Sequence, residues 1–192
     1  MSQITKPEGI FTILPLPFSE SFEIKEDVLL QAIDWAVGAG AKGVVATGSV
    51  GGFSHLTEAE RKRVMEVSIA QIRKNEGTKA VSMTAAAGTM ETIAWTKLAK
   101  EIGYDYALIV PPYYWKVGDE EVFRHYQMVN DAVDIPIIVY NNPITSKFKI
   151  SVPFADRLAG LSNVVAMKEM SHDMAYLMSM YDTVGGKLSM MQ

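Results

Sequence analysis

Asn163-Val164-Val165-Ala166-Met167-Lys168-Glu169 is an unbroken apolar run that closes on an ammonium and a carboxylate. A short run of this kind, rich in β-branched residues, reads as a strand covered on both faces, because a half-buried strand would alternate apolar with polar. Working back along the chain, Ile135 to Tyr140, Tyr106 to Val110, Lys79 to Met83 and Gly43 to Thr47 have the same character. Each is followed by a longer amphipathic stretch. His172 to Tyr181 follows the quoted run, and Ser151 to Leu158, Asp119 to Ala132 and Thr89 to Ile102 follow the next three. After Gly43 to Thr47, Thr57 with Glu60 three residues on is a capping-box signature that opens a helix to about Lys74. Gly9 to Leu16 with Lys25 to Ala39 makes a first strand and helix, and Lys187 to Gln192 begins a seventh strand.

This alternation argues for a parallel sheet with right-handed crossovers, in one domain spanning 1–192 with no dividing linker. Six strand–helix units can form either a doubly wound sheet or part of a (β/α)8 TIM barrel, and counting does not choose between them. A complete barrel takes about 250 residues and eight strands, so a barrel here stops about two units short and is expected to be incomplete at its C-terminus. An unclosed barrel exposes apolar strand edges, which predicts aggregation, pairing with another chain, or a missing segment.

Composition narrows the function classes. The chain is 48% hydrophobic and 21% charged, with a formal net charge of -4, as fits a globular protein with a real core. It has no cysteine, which excludes disulfides, thiolate nucleophiles and cysteine-ligated zinc. Met1 to Ile10 lacks a basic and then apolar leader, and no apolar run approaches the roughly 20 residues that span a bilayer, so a cytoplasmic protein without membrane contact is expected. Charges of both signs are interspersed, as from Glu58 to Arg63, which argues against nucleic acid as a partner. His55, His125 and His172 stand on separate segments without ligand-like spacing, so no metal site is expected. The late methionines, Met167, Met170, Met174, Met178, Met180, Met190 and Met191, recur at roughly helical intervals and read as core filling, with a cofactor or partner groove as the alternative.

In parallel α/β folds the chemistry collects where strands end. Gly48-Ser49-Val50-Gly51-Gly52 could cradle a carboxylate or phosphate on backbone N–H groups ahead of a helix, or be a plain tight turn. No Gly-Lys-Ser/Thr completes a phosphate loop, and Pro15-Leu16-Pro17-Phe18 is a poor one, so a flavodoxin-like nucleotide binder has little support. Pro111-Pro112-Tyr113-Tyr114 and Tyr140-Asn141-Asn142-Pro143 place phenols at strand ends, where they either pack or relay protons. Lys168 is either a surface residue just past its strand or a desolvated neutral amine able to condense with a ketone.

Together these segments resemble the dihydrodipicolinate synthase and N-acetylneuraminate lyase family of class I pyruvate aldolases, along essentially the whole chain. Leu16-Pro17-Phe18 is similar to the family's first-strand ending, and Gly48-Ser49-Val50-Gly51-Gly52 sits where its G-[ST]-T-G-E motif lies. Pro112-Tyr113-Tyr114, Tyr140-Asn141-x-Pro143 and Lys168-Glu169 follow in order. The resemblance implies a (β/α)8 barrel without cofactor or metal, in which Lys168 forms a Schiff base with pyruvate or another 2-keto acid. It implies that Tyr140 orients the substrate and moves its protons, that Ser49 passes them on, and that Tyr114 completes the relay from a neighbouring subunit of a homotetramer. The substrate carboxylate would rest on the Ser49 hydroxyl and the Ser49 and Val50 amides. Val50 and Gly52 stand where the motif has threonine and glutamate, which weakens that cradle. Thr145 stands where synthases acting on aspartate semialdehyde carry an arginine. A neutral hydroxyl there favours a 2-keto-3-deoxy sugar acid aldolase or dehydratase over dihydrodipicolinate synthase. Lys147 and His172 also depart from the pattern and are expected on exposed loops. The competing expectation is a non-catalytic, truncated or diverged barrel that keeps the lysine.

Overall fold

Gly43 pairs with Phe11 at close range because it has no side chain; a Cβ there would meet the Phe11 ring at 2.2 Å. The computed structural model that shows this describes residues 5–192, so the first four residues of the Met1 to Ile10 stretch lie outside the described residues. Two units are distinguished, and each has its own parallel strands.

One unit comprises Glu8–Met83 and Ala99–Tyr106. Its strands β1 (Phe11–Ile13), β2 (Gly43–Val45) and β3 (Lys79–Met83) lie in chain order and pair in parallel, Phe11 with Gly43 and Gly43 with Lys79. Helix α1 (Glu26–Gly38) turns Leu29, Ile33 and Ala36 inward at helical spacing. The capping box at the start of α2 (Glu58–Ile72) is present: the Glu60 amide donates to Thr57 Oγ1, and the Thr57 amide to the Glu60 carboxylate at 2.8 Å. Arg63 and Glu26 make a bidentate ion pair between the two helices, with N···O distances of 2.7 and 2.8 Å. Two buried polar contacts brace the unit: Arg61 donates to the Met83 carbonyl at 2.8 Å, and Thr47 and Ser82 hydroxyls meet at 3.2 Å. Asp105 accepts from the Ala80 amide and from Arg73 and Lys79, tying the start of β3 to the chain that enters β4 (Tyr106–Ile109).

The other unit holds Thr84–Leu98 and Ala107–Gln192, with residues 5–7. Here β4, β5 (Ile137–Asn141), β6 (Val164–Glu169) and β7 (Ser189–Met191) again follow chain order in parallel. Strands β4, β5 and β6 are buried along their whole length, as their apolar runs predict. The β5–β6 ladder carries a bulge: Ile137 pairs with Val164 and Ile138 with Ala166, so Val165 is an extra residue. Helices α3 (Thr89–Ile102), α4 (Asp119–Ala132), α6 (Val152–Leu158) and α7 (Met174–Val184) are the expected connectors, α3 passing into the first unit after Leu98. A four-residue helix α5 (Pro143–Ser146), not foreseen from the sequence, follows β5; Pro143 at its start suits a first turn. Tyr126 of α4 is fully buried and donates to the Ile109 carbonyl at 2.7 Å.

The methionines correct one expectation. Met167 and Met180 are core residues, but Met174 and Met178 are 66% and 63% exposed. They share the outer side of α7 with Tyr181, while Met180 and Val184 occupy the inner side. With Met190 and Met191 of β7, the outer side forms an apolar groove of about 360 Å³. Helical spacing alone does not say which face meets a neighbour. Among the described residues no helix is long and apolar enough to cross a membrane.

Candidate active site

Strand alternation and the β5–β6 register together build the site. Past the bulge Tyr140 lies opposite Lys168, and Asn141 opposite Glu169. Consecutive residues of a strand face opposite ways, so the first pair occupies one side of the sheet and the second pair the other.

On the first side, Lys168 is 8% exposed. Its Nζ stands 3.9 Å from the centroid of the Tyr140 ring and 3.2 Å from Met170 Sδ. Among the described residues no carboxylate forms an ion pair with it. Tyr140 is also buried, and its hydroxyl accepts from Asn142 Nδ2 at 3.1 Å. The amine thus lies buried against a phenol ring at the end of a parallel strand and, among the described residues, takes part in no ion pair.

On the second side lies a network that the sequence did not single out. Glu169 is 1% exposed; Oε2 accepts from Asn141 Nδ2 at 2.8 Å and Tyr176 OH at 3.2 Å, and Oε1 accepts from the Ser171 amide at 2.8 Å. Tyr176, on α7, has one hydroxyl proton, shared between Glu169 Oε2 and the closer Ile150 carbonyl at 2.6 Å, and accepts from Asn141 Nδ2 at 2.9 Å. Asn141 Oδ1 takes the Ile150 amide at 3.0 Å. Burial, and after it the Glu169 charge, holds the Tyr176 phenol well above the usual range. The available signal was period two: if Tyr140 and Lys168 share a face, so do Asn141 and Glu169.

The other candidates stand as follows. Thr145 is exposed on α5 and its hydroxyl donates to the Asn142 carbonyl at 3.3 Å. Tyr114 is 71% exposed, packs edge-on against Trp115 at 5.0 Å between centroids, and has φ of 96°, a left-handed backbone that is uncommon for a residue with a Cβ. Ser49 and Val50 belong to the unit of β1–β3. They are exposed at a turn closed by the Gly52 amide on the Ser49 carbonyl at 3.1 Å. Among the described residues the amides of Ser49 and Val50 take no part in that backbone bonding. A three-residue 3-10 turn, Phe53–His55, follows, and the helix expected from the Thr57 capping box begins at Glu58. Gly48 is required by packing, since a Cβ would lie 2.9 Å from Ile13. Lys147 and His172 are exposed.

His125 is the buried histidine. Its Nδ1 meets Thr89 Oγ1 at 2.9 Å, its Nε2 is without a partner, and burial pushes its pKa down to about 4. Among the described residues no three His, Asp or Glu side chains converge as a metal site.

Comparison with known proteins gives a consistent result. Residues 6–192 match the dihydrodipicolinate synthetase family model. The chain is 30% identical over 182 residues to the 4-hydroxy-tetrahydrodipicolinate synthase of Clostridium perfringens (strain SM101 / Type A), covering 95% of this chain and 62% of the relative. The crystal structure of dihydrodipicolinate synthase from Aquifex aeolicus aligns with a TM-score of 0.89 at 32% identity, over 95% of this chain and 61% of that one. That of the chloride-inhibited enzyme from Acinetobacter baumannii, complexed with pyruvate, aligns with a TM-score of 0.90 at 30% identity, over 95% and 62%. The fold is thus a partial (β/α)8 barrel, and the chain spans between 55% and 62% of the length of the curated relatives compared.

Proposed function

This chain belongs to the dihydrodipicolinate synthetase family, and from that premise we propose that Lys168 is the nucleophile of a class I lyase acting on pyruvate or a related 2-keto acid. The observation that carries the proposal is the burial of Lys168 against Tyr140, in cross-strand register and with no ion pair among the described residues.

In the proposed reaction the Nζ lone pair forms a bond to C2 of the keto acid, and the carbonyl π pair moves to oxygen, which takes a proton. Nitrogen gives up one of its protons, the hydroxyl takes a second proton and leaves as water, and the nitrogen lone pair closes the iminium. The cationic C=N then accepts the electron pair released when a bond at C3 breaks, or returns it when one forms, so the lysine itself is the electron sink and the chemistry requires no metal or cofactor. Tyr140 is the proton carrier at the substrate oxygen, with Asn142 fixing its hydroxyl. Ser49 is proposed to pass that proton on, and the Ser49 and Val50 amides to hold the substrate carboxylate; their freedom from the turn's own bonding supports this. The exposed Tyr114 supports a role toward a neighbouring copy, within a cytoplasmic homotetramer.

For the second substrate, Thr145 offers a neutral hydroxyl, which favours a 2-keto-3-deoxy sugar acid cleaved or dehydrated. A second assignment, 4-hydroxy-tetrahydrodipicolinate synthase, is favoured by the relatives' names. A non-catalytic barrel is the outcome if the lysine does not react.

Intact-protein mass after incubation with pyruvate and borohydride tests the proposal. The expected result is a pyruvate-sized adduct on the chain and none on Lys168→Ala. A folded chain that gains no mass overturns the nucleophile assignment; sugar acids and aspartate semialdehyde, offered in turn, then separate the two substrate assignments.

A further inference from the structure

Strands β5 and β6 fall out of step once. Ile137 pairs with Val164, yet Ile138 pairs with Ala166, and Val165 is left as slack in β6. A one-residue slip past such a bulge would place Met167 or Glu169 opposite Tyr140 and turn Lys168 to the other side of the sheet. The contact between Lys168 and Tyr140 is poorly suited to prevent this, since an amine over a ring face has little directional preference.

The Asn141–Glu169 pair has that preference. Glu169 accepts from Asn141, Tyr176 and the Ser171 amide, while Asn141 and Tyr176 both hold the Ile150 backbone. Slipping either strand would break the set and leave a buried carboxylate without donors, a far larger penalty than the lost ring contact. Resting on the assignment of Lys168 as nucleophile, we propose that Glu169, clamped by Asn141 and Tyr176, is a positioning residue that selects the register in which Lys168 faces Tyr140. Glu169 touches no substrate; it acts through the strand it fixes. Because Tyr176 sits on α7, the clamp also ties the nucleophile to that helix.

The experiment follows pyruvate–borohydride trapping against pyruvate concentration in Glu169→Ala, Glu169→Gln and Tyr176→Phe, each held at a temperature where near-UV circular dichroism reports a folded chain. Glu169→Ala is expected to lower the maximal trapping rate about tenfold with half-saturating pyruvate unchanged within about twofold. Glu169→Gln keeps a carbonyl acceptor toward Asn141 and Tyr176 and is expected within about threefold of wild type. A Glu169→Ala rate equal to wild type overturns the clamp, as does a raised half-saturation with an unchanged maximum. A second readout uses no pyruvate: acetylation of Lys168 relative to exposed Lys62, read by peptide mass. It is expected to rise about fivefold in Glu169→Ala and less than about twofold in Glu169→Gln, as burial of Lys168 is lost and then restored. An unchanged ratio overturns the clamp. If the wild type forms no adduct, the nucleophile assignment falls while the acetylation ratio still decides the clamp. If Glu169→Ala does not fold, Tyr176→Phe carries both readouts, with equality to wild type the overturning result.

Discussion

The ends of β5 and β6 and the outer side of α7 with β7 belong to one unit and are built on opposite plans. At the strand ends the buried carboxylate and amide have directional partners, and Asn141, Glu169 and Tyr176 constrain one another. On the outer side, Met174, Met178 and Tyr181 stand more than half exposed over an apolar groove, positioned only by helical spacing. The first region carries its own geometry wherever the chain folds. The second depends on what it meets, because flexible thioethers specify no single neighbour and an apolar face in water gains by covering itself.

The largest effect expected is at the first region. Glu169→Ala removes the buried carboxylate that accepts from Asn141, Tyr176 and the Ser171 amide, leaves the space it filled, and is expected to lower stability by about 4 kcal/mol. Urea unfolding measures this, and a loss below about 1 kcal/mol would place the strand ends on the same footing as the outer face.

A smaller effect, at His125, asks whether satisfied hydrogen bonding is what makes a buried site robust, since Nε2 there has no partner. Burial lowers the folded pKa to about 4 from an ordinary 6.5. Between those values the unfolded chain takes up a proton that the native state does not. Stability is therefore full above about pH 6.5 and falls by about 1.4 kcal/mol per unit down to about pH 4, roughly 3 kcal/mol in all. His125→Gln should flatten that part of the profile, and parallel profiles for the two chains would contradict it.

The smallest effect on stability belongs to the outer face. Met174→Gln with Met178→Gln is expected to change unfolding free energy by less than about 0.5 kcal/mol while reducing self-association in sedimentation velocity. A loss above about 2 kcal/mol would show these methionines to be core residues after all, as their spacing first suggested.

What could be read without coordinates follows from where each signal resides. The strands were legible because a buried parallel strand writes its environment into consecutive residues, as Val164 to Met167 do. Thr57 and Glu60 fixed the start of α2 because a capping box is local. Lys168 and Tyr140 were legible as motif residues, and their partnership emerged only from the register. The Asn141–Glu169–Tyr176 network needed that register and a helix from elsewhere in the chain. The short helix α5 was missed, because four residues after a proline-bounded turn carry no periodicity. The orientation of α7 was illegible for a related reason: methionine suits a core and an uncovered groove equally well.

The bulge at Val165 also bears on chain length. In β6 the residues before Val165 and those after it are paired to β5 in different phase, so the strand has already absorbed one residue without losing its ending. Upstream of the bulge a deletion can be taken up by straightening the ladder, with Lys168 still opposite Tyr140. Downstream there is no such reserve, and a single codon changed between Ala166 and Lys168 would exchange the inward and outward faces: one lost would leave a carboxylate where the amine belongs, and one gained would leave a thioether.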